Sequence, residues 1–242
     1  VSIVVPVFNG LPHLLDLADS ILAQSYEELD IVFSEGGSTD GSADYLATIT
    51  DPRVRVIDGP VGQGAAANWT AASEAARGDF VKLICQDDLI GPTAIADQVA
   101  DLLDHPTAAM AIAPRDIIDA HGKVLYPSRG CAGLHPGLNN GPSVLHTCYV
   151  RGANVFGEPL AVLFRREPFL AALPWDDRNP LMLDVSFYDK VASRGDVVVR
   201  TSSVGAFRVS ASSWSTRLAS VQRAQFERWQ HEYARALPTP PT

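Results

Sequence analysis

Two adjacent carboxylates, Asp87 and Asp88, follow an apolar segment that ends at Cys85. Placing carboxylates against an apolar strand costs free energy unless they bind something. Hard oxygen ligands with open coordination positions suit Mg²⁺ or Mn²⁺, which then bridge the phosphates of a substrate. The alternative is a helix N-cap before Thr93, although two neighbouring aspartates several residues ahead of the helix fit that role less well. We therefore predict that Asp87 and Asp88 are metal ligands.

A second polar segment, EGGSTDGS, occupies residues 35–42. Here Glu35 and Asp40 could accept hydrogen bonds from the base or ribose of a nucleoside. The same residues would also suit a plain turn that caps a helix, because Gly-Gly permits positive φ and Ser, Thr and Asp are good capping residues. The chain has no G-x-G-x-x-G after its first strand and no G-x-x-x-x-G-K-[ST] anywhere. It therefore lacks the phosphate-binding loops of Rossmann dinucleotide-binding proteins and of P-loop proteins.

The elements that must position these loops alternate along residues 1–117. Strands are predicted at 2–7, 29–33, 54–57, 80–85 and 109–113, and helices at 11–24, 42–49, 62–76 and 93–103. This alternation predicts an α/β fold, a Rossmann-like, mostly parallel sheet with helices on both faces. Ligands bind such sheets at the carboxyl ends of the strands. The loops VFNG, EGGSTDGS and QDD would then lie at one edge.

The second half of the chain has a different pattern. Residues 126–159 are rich in glycine and show few helical patterns, which is typical of a long functional loop. Strands are predicted at 160–164, 197–199 and 204–209, and helices at 181–192 and 216–237. We expect a single domain over residues 1–237, with a nucleotide-type half at 1–117, a more irregular half at 118–237, and a disordered tail at 238–242.

Composition excludes several classes of protein. The chain is 46% hydrophobic and 19% charged, unlike disordered, collagen-like or coiled-coil sequences. Its net charge of −9 argues against a nucleic-acid partner. The three cysteines match no metal or redox spacing, and a cytoplasmic location is expected because no signal peptide or membrane span is visible. A basic side on the last helix leaves open a peripheral contact at the inner face of a membrane, although a solvated face is the simpler interpretation.

The order of three segments resembles family 2 inverting glycosyltransferases of the GT-A fold, within the nucleotide-diphospho-sugar transferase superfamily. The segments are VSIVVPVFNG, SEGGSTDGS, and ARGDFVKLICQDD with Pro92 after it, and the resemblance covers residues 1 to about 115. It implies transfer of a sugar from a UDP-, GDP- or dTDP-sugar donor to a glycan or lipid-linked acceptor, with Mn²⁺ or Mg²⁺ as cofactor. Residues 1–117 would then bind the nucleotide-sugar, and residues 118–237 would lie on the acceptor side.

The resemblance also implies residue roles. In the family's Asp-x-Asp motif the second Asp meets the metal, and the count back from Pro92 makes that residue Asp87. The chain departs from the family at Cys85, which aligns with the first Asp of the motif, and at Glu35, where the family usually has Asp. Gln86 or Asp88 would compensate at the first of these positions. The residues implied to contact the donor are Pro6, Phe8, Asn9, Glu35, Ser38, Asp40, Gly64, Asn68 and Gln86.

The catalytic base is expected from the second half. The segment PLMLDVS at residues 180–186 resembles the family segment in which an acidic residue opens a helix and deprotonates the acceptor hydroxyl. Asp184 is the predicted base, with Asp176 and Asp177 as reserve candidates. The alternative role for Asp184 is an N-cap or a first-turn acid stabilised by the helix dipole.

Two other functions remain open from the residues alone. A nucleotidyltransferase would share the sheet and the metal-binding acid, although no Gly-rich triphosphate loop follows the first strand. A non-catalytic module that binds a nucleotide-sugar or glycan would be consistent with the departures at Cys85 and Glu35.

Overall fold

Two β-sheets form the framework of the part of the chain that the computed structural model describes, residues 1–210 and 219–236. Each strand is short, as in most globular proteins. The strands are β1 Ser2–Val7, β2 Asp30–Glu35, β3 Val54–Asp58, β4 Phe80–Leu83, β5 Leu89–Ile90, β6 Ala108–Ile112, β7 Arg115–Ile118, β8 Val124–Arg129, β9 Gly137–Asn139, β10 Val162–Arg165, β11 Asp196–Val199 and β12 Gly205–Arg208.

Helices cover both faces of the larger sheet. They are α1 His13–Leu22, α2 Ser42–Ala47, α3 Ala65–Glu74, α4 Ala94–Asp104, α5 Gly141–Arg151, α6 Arg166–Leu170, α7 Leu183–Ala192 and α8 Gln222–Ala236. Short 3₁₀ turns lie at Pro159–Ala161, Pro180–Met182 and Ala219–Val221. The helix predicted at 216–237 is present as α8 over residues 222–236. Residues 216–218 and 237, and the tail at 238–242, fall outside the described residues.

The larger sheet has the order β3-β2-β1-β4-β10-β6-β11-β9. Its first four strands are parallel and in close register, with Val7 opposite Glu35 and Glu35 opposite Asp58. The carboxyl ends of β1, β2 and β4, which the loops VFNG, EGGSTDGS and QDD follow, therefore meet at one edge, as the sequence pattern predicts. The α/β fold is confirmed, although β10 and β9 run antiparallel to their neighbours and make the second half of the sheet mixed.

Successive residues of the central strands are buried on opposite faces of the sheet. In β1, Val4 joins one apolar cluster, whereas Ile3 and Val5 join the other. The first cluster also takes residues from α3, α5 and α7, and the second takes residues from α1, α2 and α4. A strand buried on both faces reads as a continuous apolar run, which explains the uninterrupted pattern of β1.

The smaller sheet, with the order β5-β12-β7-β8, lies next to the predicted metal ligands. Its strand β5 begins directly after Asp88 and pairs antiparallel with β12, which comes from near the end of the chain. Because β12 also pairs with β7, this sheet joins the segment after β4 to the segment after β6. Distant parts of the sequence are thus brought to the same edge.

The region 126–159 differs from the long loop that the sequence suggested. It contains most of β8, the short strand β9 and the helix α5, whose side chains Val144, Leu145 and Cys148 are buried. Asn140 caps α5 by accepting a hydrogen bond from the backbone of Ser143, and Gly152 ends the helix in the left-handed conformation. The glycines and asparagines that suggested a loop are therefore the caps and turns around a helix.

Candidate active site

The loop after β1 is fastened to the loop after β2 by side-chain hydrogen bonds. The Asn9 backbone N–H donates to Ser38 Oγ at 2.9 Å, and the Thr39 N–H donates to Asn9 Oδ1 at 2.8 Å. Asp40 Oδ2 accepts from the Leu11 N–H at 2.9 Å. Asn9 has φ of +52°, a left-handed conformation that Asn tolerates better than most residues. The two loops thus form one rigid unit.

Glu35, at the end of β2, shapes its own loop. Its carboxylate accepts from the N–H groups of Gly37 at 3.0 Å and Ser38 at 2.7 Å. Partial burial acts to raise the pKa of Glu35, but the hydrogen bonds from Ser38 and Gly37 outweigh it, so the pKa is lowered. A carboxylate oxygen can accept more than one hydrogen bond, so this ionised group retains capacity toward a ligand.

Asn68 links α3 to the ends of β1 and β2. Its Nδ2 donates to the carbonyls of Val7 at 3.1 Å and Ser34 at 3.2 Å, and its Oδ1 accepts from Ser34 Oγ at 2.6 Å. A Cβ on Gly59 would lie 2.5 Å from Asn68 Oδ1, so the chain can pass there only as glycine. Gly64, with φ of +85°, starts the helix that carries Asn68. The buried Asn68 side chain therefore fixes the strand ends beneath the site.

Phe8 and Gln86 connect the β1 loop to the segment after β4. The Phe8 N–H donates to Gln86 Oε1 at 2.8 Å, and Gln86 Nε2 donates to the Phe8 carbonyl at 2.9 Å. This pairing fixes the backbone of Phe8, a residue that is 56% exposed at the edge of the sheet, just beyond the buried Pro6. An exposed aromatic ring on a fixed backbone offers a flat apolar surface to a ligand.

Asp88 is fully buried and is held by β12. Its Oδ1 accepts from the Arg208 backbone N–H at 3.1 Å, and Arg208 Nε donates to the Asp87 carbonyl at 2.8 Å. The Arg208 guanidinium also reaches Asp16 and the carbonyl of Ala120. Arg208, only 2% exposed, therefore holds Asp87 and Asp88 in place through hydrogen bonds.

The described residues fit a divalent cation in part. Asp88 Oδ2 is buried and has no hydrogen-bond partner within the described chain, and an unpaired buried oxygen is costly unless something binds it. Burial raises the pKa of Asp87, and burial with the nearby Asp87 charge raises the pKa of Asp88 well above its usual range. A cation would relieve both effects. No group of three or more metal-ligating side chains occurs among residues 1–210 and 219–236.

Asp184 lies in the first turn of α7, beside a turn that follows α5. Its Oδ1 accepts from the Val185 N–H at 2.7 Å, and its Oδ2 accepts from Asn154 Nδ2 at 2.9 Å. Burial raises the pKa of Asp184 to about 7, with a further contribution from the charge of Glu158. Glu158 itself is paired with the guanidinium of Arg115. A carboxylate with such a pKa can exchange a proton near neutral pH.

The charges of several acidic side chains act on the thiol of Cys85. Burial raises the pKa of its thiol well above the usual value, and so do the charges of Asp88, Asp87, Asp184 and Glu158, in that order. The charges of the predicted metal ligands and of the predicted base thus act on one thiol, although these residues are far apart in the sequence.

The reserve acids are placed differently. Asp176 forms an ion pair with Arg178, and Asp177 lines a groove of about 650 Å³ between α3 and the Pro174–Trp175 segment. None of the three central aspartates, Asp87, Asp88 and Asp184, lines this groove.

Sequence reasoning did not identify Asn154, Glu158 or Arg115 as part of the site. Asn154 lies in a turn and binds the backbone of that turn, a pattern typical of Asn, but its partner Asp184 is 30 positions away. Arg115 and Glu158 are separated by 43 positions. Only the folded chain brings these residues together.

Comparison with protein families identifies the chain. The profile described as Glycosyl transferase family 2 matches residues 2–170. The chain belongs to this family. The match includes the β1 and β2 loops, the acidic segment and Asn154, whereas Asp184 lies beyond it. The family resemblance inferred from the three sequence segments is thus confirmed.

Relatives of this family-2 chain include proteins of different length. A Mycobacterium tuberculosis protein described as uncharacterised is 27% identical over 237 residues, or 94% of this chain and 73% of its own length. A Haemophilus influenzae uncharacterised glycosyltransferase is 32% identical over 107 residues, 43% of each chain. Glycosyltransferase GlyG of Streptococcus pneumoniae is 30% identical over 92 residues, with 37% of this chain and 31% of GlyG covered. The chain thus spans less than half of the last two relatives.

Solved structures share the fold at low sequence identity. S. aureus TarS, residues 1–349, superposes with a TM-score of 0.69 and 14% identity, over 97% of this chain and 72% of TarS. The mannosyltransferase PcManGT from Pyrobaculum calidifontis, solved with GDP-Man and Mn²⁺, gives 0.66 and 17%, over 99% of this chain and 65% of PcManGT. These likenesses establish the GT-A fold. Within residues 1–210 and 219–236, no helix combines the length and apolar character needed to cross a bilayer.

Proposed function

We propose that this chain transfers a sugar from a nucleotide-diphosphate sugar to the hydroxyl of a glycan or lipid-linked acceptor, with inversion at the anomeric carbon. The observation that carries the proposal is the buried Asp88 Oδ2, which has no hydrogen-bond partner within the described residues, next to Asp87 and just after β4 of a family-2 sheet. TarS has been solved with UDP-GlcNAc and PcManGT with GDP-Man, so nucleotide-sugars are the donor class that structural relatives support.

The donor would lie across the fastened loops of β1 and β2. Phe8 offers an exposed ring for the base, and Glu35 and Asp40 offer ionised oxygens for base or ribose hydroxyls. Because these contacts are the same in ground and transition states, they would serve donor affinity more than the chemical step.

Asp87 and Asp88 would hold the divalent cation, Mn²⁺ or Mg²⁺. When bound, such a cation supplies positive charge that stabilises the departing diphosphate. The buried, unpartnered Asp88 Oδ2 and the raised pKa of both carboxyls, caused first by burial, support this assignment. Arg208 would keep the segment in place from β12.

Asp184 would accept the proton of the acceptor hydroxyl. As that oxygen forms its bond to the anomeric carbon, the bond from the carbon to the diphosphate breaks and its electron pair leaves with the nucleoside diphosphate. A single displacement of this kind inverts the configuration. The carboxylate, with its pKa raised to about 7 mainly by burial, is a stronger base than an exposed aspartate.

The test is a donor screen. The purified chain is mixed with UDP-, GDP- and dTDP-sugars, with and without Mn²⁺, and thermal stabilisation and released nucleoside diphosphate are measured. A donor at about 100 times its Kd adds roughly 2.7 kcal/mol to the free energy of unfolding. The donor that stabilises the chain most therefore identifies the preferred nucleobase.

The same screen distinguishes the other functions. Transfer or slow donor hydrolysis that Asp184→Asn abolishes supports the proposal, and Asp104→Asn, at an exposed position in α4, is the matched control. Stabilisation without any release of nucleoside diphosphate would indicate a binding module. Pyrophosphate released from a nucleoside triphosphate and a sugar phosphate would indicate a nucleotidyltransferase.

A further inference from the structure

We propose that Asn154 is a positioning residue for Asp184, holding its carboxylate in place and favouring its ionised form through the Nδ2–Oδ2 hydrogen bond. This inference rests on the proposed function, in which Asp184 is the general base. The hydrogen bond is 2.9 Å long and joins the turn after α5 to the first turn of α7.

The orientation of the Asn154 amide is fixed by its other hydrogen bonds. Oδ1 accepts from the N–H groups of Phe156 at 3.0 Å and Gly157 at 3.1 Å. Nδ2 donates to the Gly157 carbonyl at 3.0 Å and to Asp184. An amide rotated by 180° would point its nitrogen at two donors and its oxygen at a carbonyl and a carboxylate. The group facing Asp184 is therefore the NH₂, a donor.

The turn that carries Asn154 is itself firmly held. The Ala153 N–H donates to the Cys148 carbonyl, and the Val155 N–H donates to Cys148 Sγ. The ring of Phe156 packs against that of Tyr188 with centroids 5.3 Å apart. Because Tyr188 lies one turn beyond Asp184 in α7, the donor and the carboxylate rest on the same packed unit. The side chain of Asp184 cannot rotate without breaking this hydrogen bond.

Few other groups can stabilise the ionised carboxylate. The titratable or charged side chains around Asp184 are Glu158, Arg115, Tyr188, Cys85 and Cys148. The Arg115 charge is engaged by Glu158 in a bidentate pair, and burial holds the pKa of both cysteines and of Tyr188 high, which keeps them neutral. Among residues 1–210 and 219–236, Asn154 is therefore the side chain that donates a hydrogen bond to the base, against the effect of burial. Hydrogen bonds to a charged form favour that form.

A purely structural role for Asn154 gives a different expectation. In Asn154→Asp, the new carboxylate can still accept from the Phe156 and Gly157 N–H groups, so the turn is retained. The Nδ2 donor to Asp184 and to the Gly157 carbonyl is lost, and a negative charge replaces it. Two carboxylates this close cannot both ionise easily, so the pair takes up a proton at a higher pH than Asp184 does in the wild type. The substitution thus preserves the shape while reversing the effect on the base.

The decisive measurement is the titration of Asp184 by ¹³C-carboxyl NMR, with its resonance assigned from its loss in Asp184→Asn. We expect the midpoint to rise by about one pH unit or more in Asn154→Asp, and by less in Asn154→Ala, which removes the donor without adding charge. Asn140→Asp is the matched control, because Asn140 caps α5 through Ser143 and an aspartate caps equally well. Thermal melts verify that each variant is folded. A midpoint unchanged in both Asn154 variants would overturn the inference.

Steady-state kinetics distinguish a failure of this inference from a failure of the proposed function. In Asn154→Asp the acidic limb of the kcat profile should move to higher pH with the NMR midpoint, while the KM for the donor stays within about twofold. If the wild type transfers no sugar, the proposed function fails, and the titration still decides whether Asn154 controls Asp184. If the wild type is active and Asp184→Asn is not, but Asn154→Asp keeps the wild-type profile, the inference alone fails.

Discussion

Asp184 combines two properties that usually conflict in a side chain. Both carboxylate oxygens accept hydrogen bonds, which favour ionisation, yet burial raises the pKa to about 7. The balance leaves a carboxylate that gains or loses its proton close to physiological pH. Few surface aspartates could act as a base toward a sugar hydroxyl in this way.

The first prediction concerns this residue. Asp184→Asn should lower kcat by about 10²–10⁴-fold, the usual contribution of a general base, while donor affinity barely changes. In the wild type, kcat should fall as the pH drops below about 7, because the carboxyl is then protonated. Steady-state kinetics across the range from mildly acidic to mildly alkaline pH measure both effects. A variant that retains more than about a tenth of kcat would redirect attention to Asp176 or Asp177.

Asp184→Asn should raise the free energy of unfolding although it lowers kcat. The folded pKa of Asp184 lies above its unfolded value, so folding at alkaline pH forces a charge into a buried place that favours the neutral form. This cost is absent below the unfolded pKa of about 3.9, grows as the pH rises from there, and is complete above the folded pKa of about 7. Asp184→Asn should therefore gain stability relative to wild type across this window and keep the gain above it, which urea denaturation at several pH values measures.

Asp87 is the subject of a second prediction. Asp87→Asn removes an anionic metal ligand while preserving size, and the Arg208 hydrogen bond goes to its backbone carbonyl, which remains. We expect transfer to be abolished and the fold to stay intact. The affinity for nucleoside diphosphate, measured by calorimetry, should lose most of its Mn²⁺ dependence. Near wild-type turnover in this variant would contradict the metal assignment.

At the level of elements, Asn68 joins a helix to two strand ends. In Asn68→Ala the Ser34 hydroxyl and the carbonyls of Val7 and Ser34 each lose a hydrogen bond, although the Val7 carbonyl keeps the one from the Gly36 N–H. Each unsatisfied buried group costs about 1–3 kcal/mol, so we expect a loss of roughly 3 kcal/mol in the free energy of unfolding. Urea denaturation measures it, and Gln63→Ala, at an exposed site just before α3, should leave the stability unchanged.

Some elements could be predicted from the sequence, and others could not. The strands β1 to β4 are mostly apolar and punctuated by Gly, Asn and Asp, so their pattern is easy to recognise. In β8 every residue from Val124 to Arg129 is exposed, so no alternation marks it as a strand. The helix α5 buries a narrow stripe between Gly141 and Gly152, and its capping residues resemble those of a loop.

The same contrast applies to the site. Its donor loops and acidic segment are contiguous motifs, so the order of residue types along the chain is enough to locate them. The contacts that support them join distant positions, such as Asp88 with Arg208 and Arg115 with Glu158. Such pairings depend on how the sheets assemble, which no local pattern records. The sequence therefore indicates the reacting groups better than it indicates their supports.

For the whole molecule, a buried lysine makes stability depend on pH. Lys82 has no exposed surface, and its Nζ donates to Gln98 Oε1 at 2.7 Å and to the Val162 carbonyl at 3.2 Å. Burial lowers the pKa of Lys82 to about 7. Folding above this pKa therefore expels a proton that the unfolded chain keeps up to about pH 10.4. Stability should rise with pH across this window and level off below it.

The corresponding experiment compares wild type with Lys82→Met in urea at several pH values from neutral to about two units above the folded pKa. The difference in unfolding free energy should grow in favour of the wild type by up to about 1.4 kcal/mol per pH unit. Lys123→Met, at an exposed position, provides the control. Parallel curves for wild type and Lys82→Met would show that this lysine keeps its proton in the folded chain.

The order of strands in the larger sheet has a consequence for biosynthesis. Within the part of the chain that the structure describes, β10 lies between β4 and β6, and β5 pairs with β12 alone. A nascent chain that has emerged as far as residue 112 therefore holds β4 as an open edge, which can pair with other chains. At about 5–20 residues per second, roughly 3–10 s pass before β10 follows. We expect chaperone dependence to be greatest in this interval, and the acidic segment to take its final position only after Arg208 leaves the ribosome.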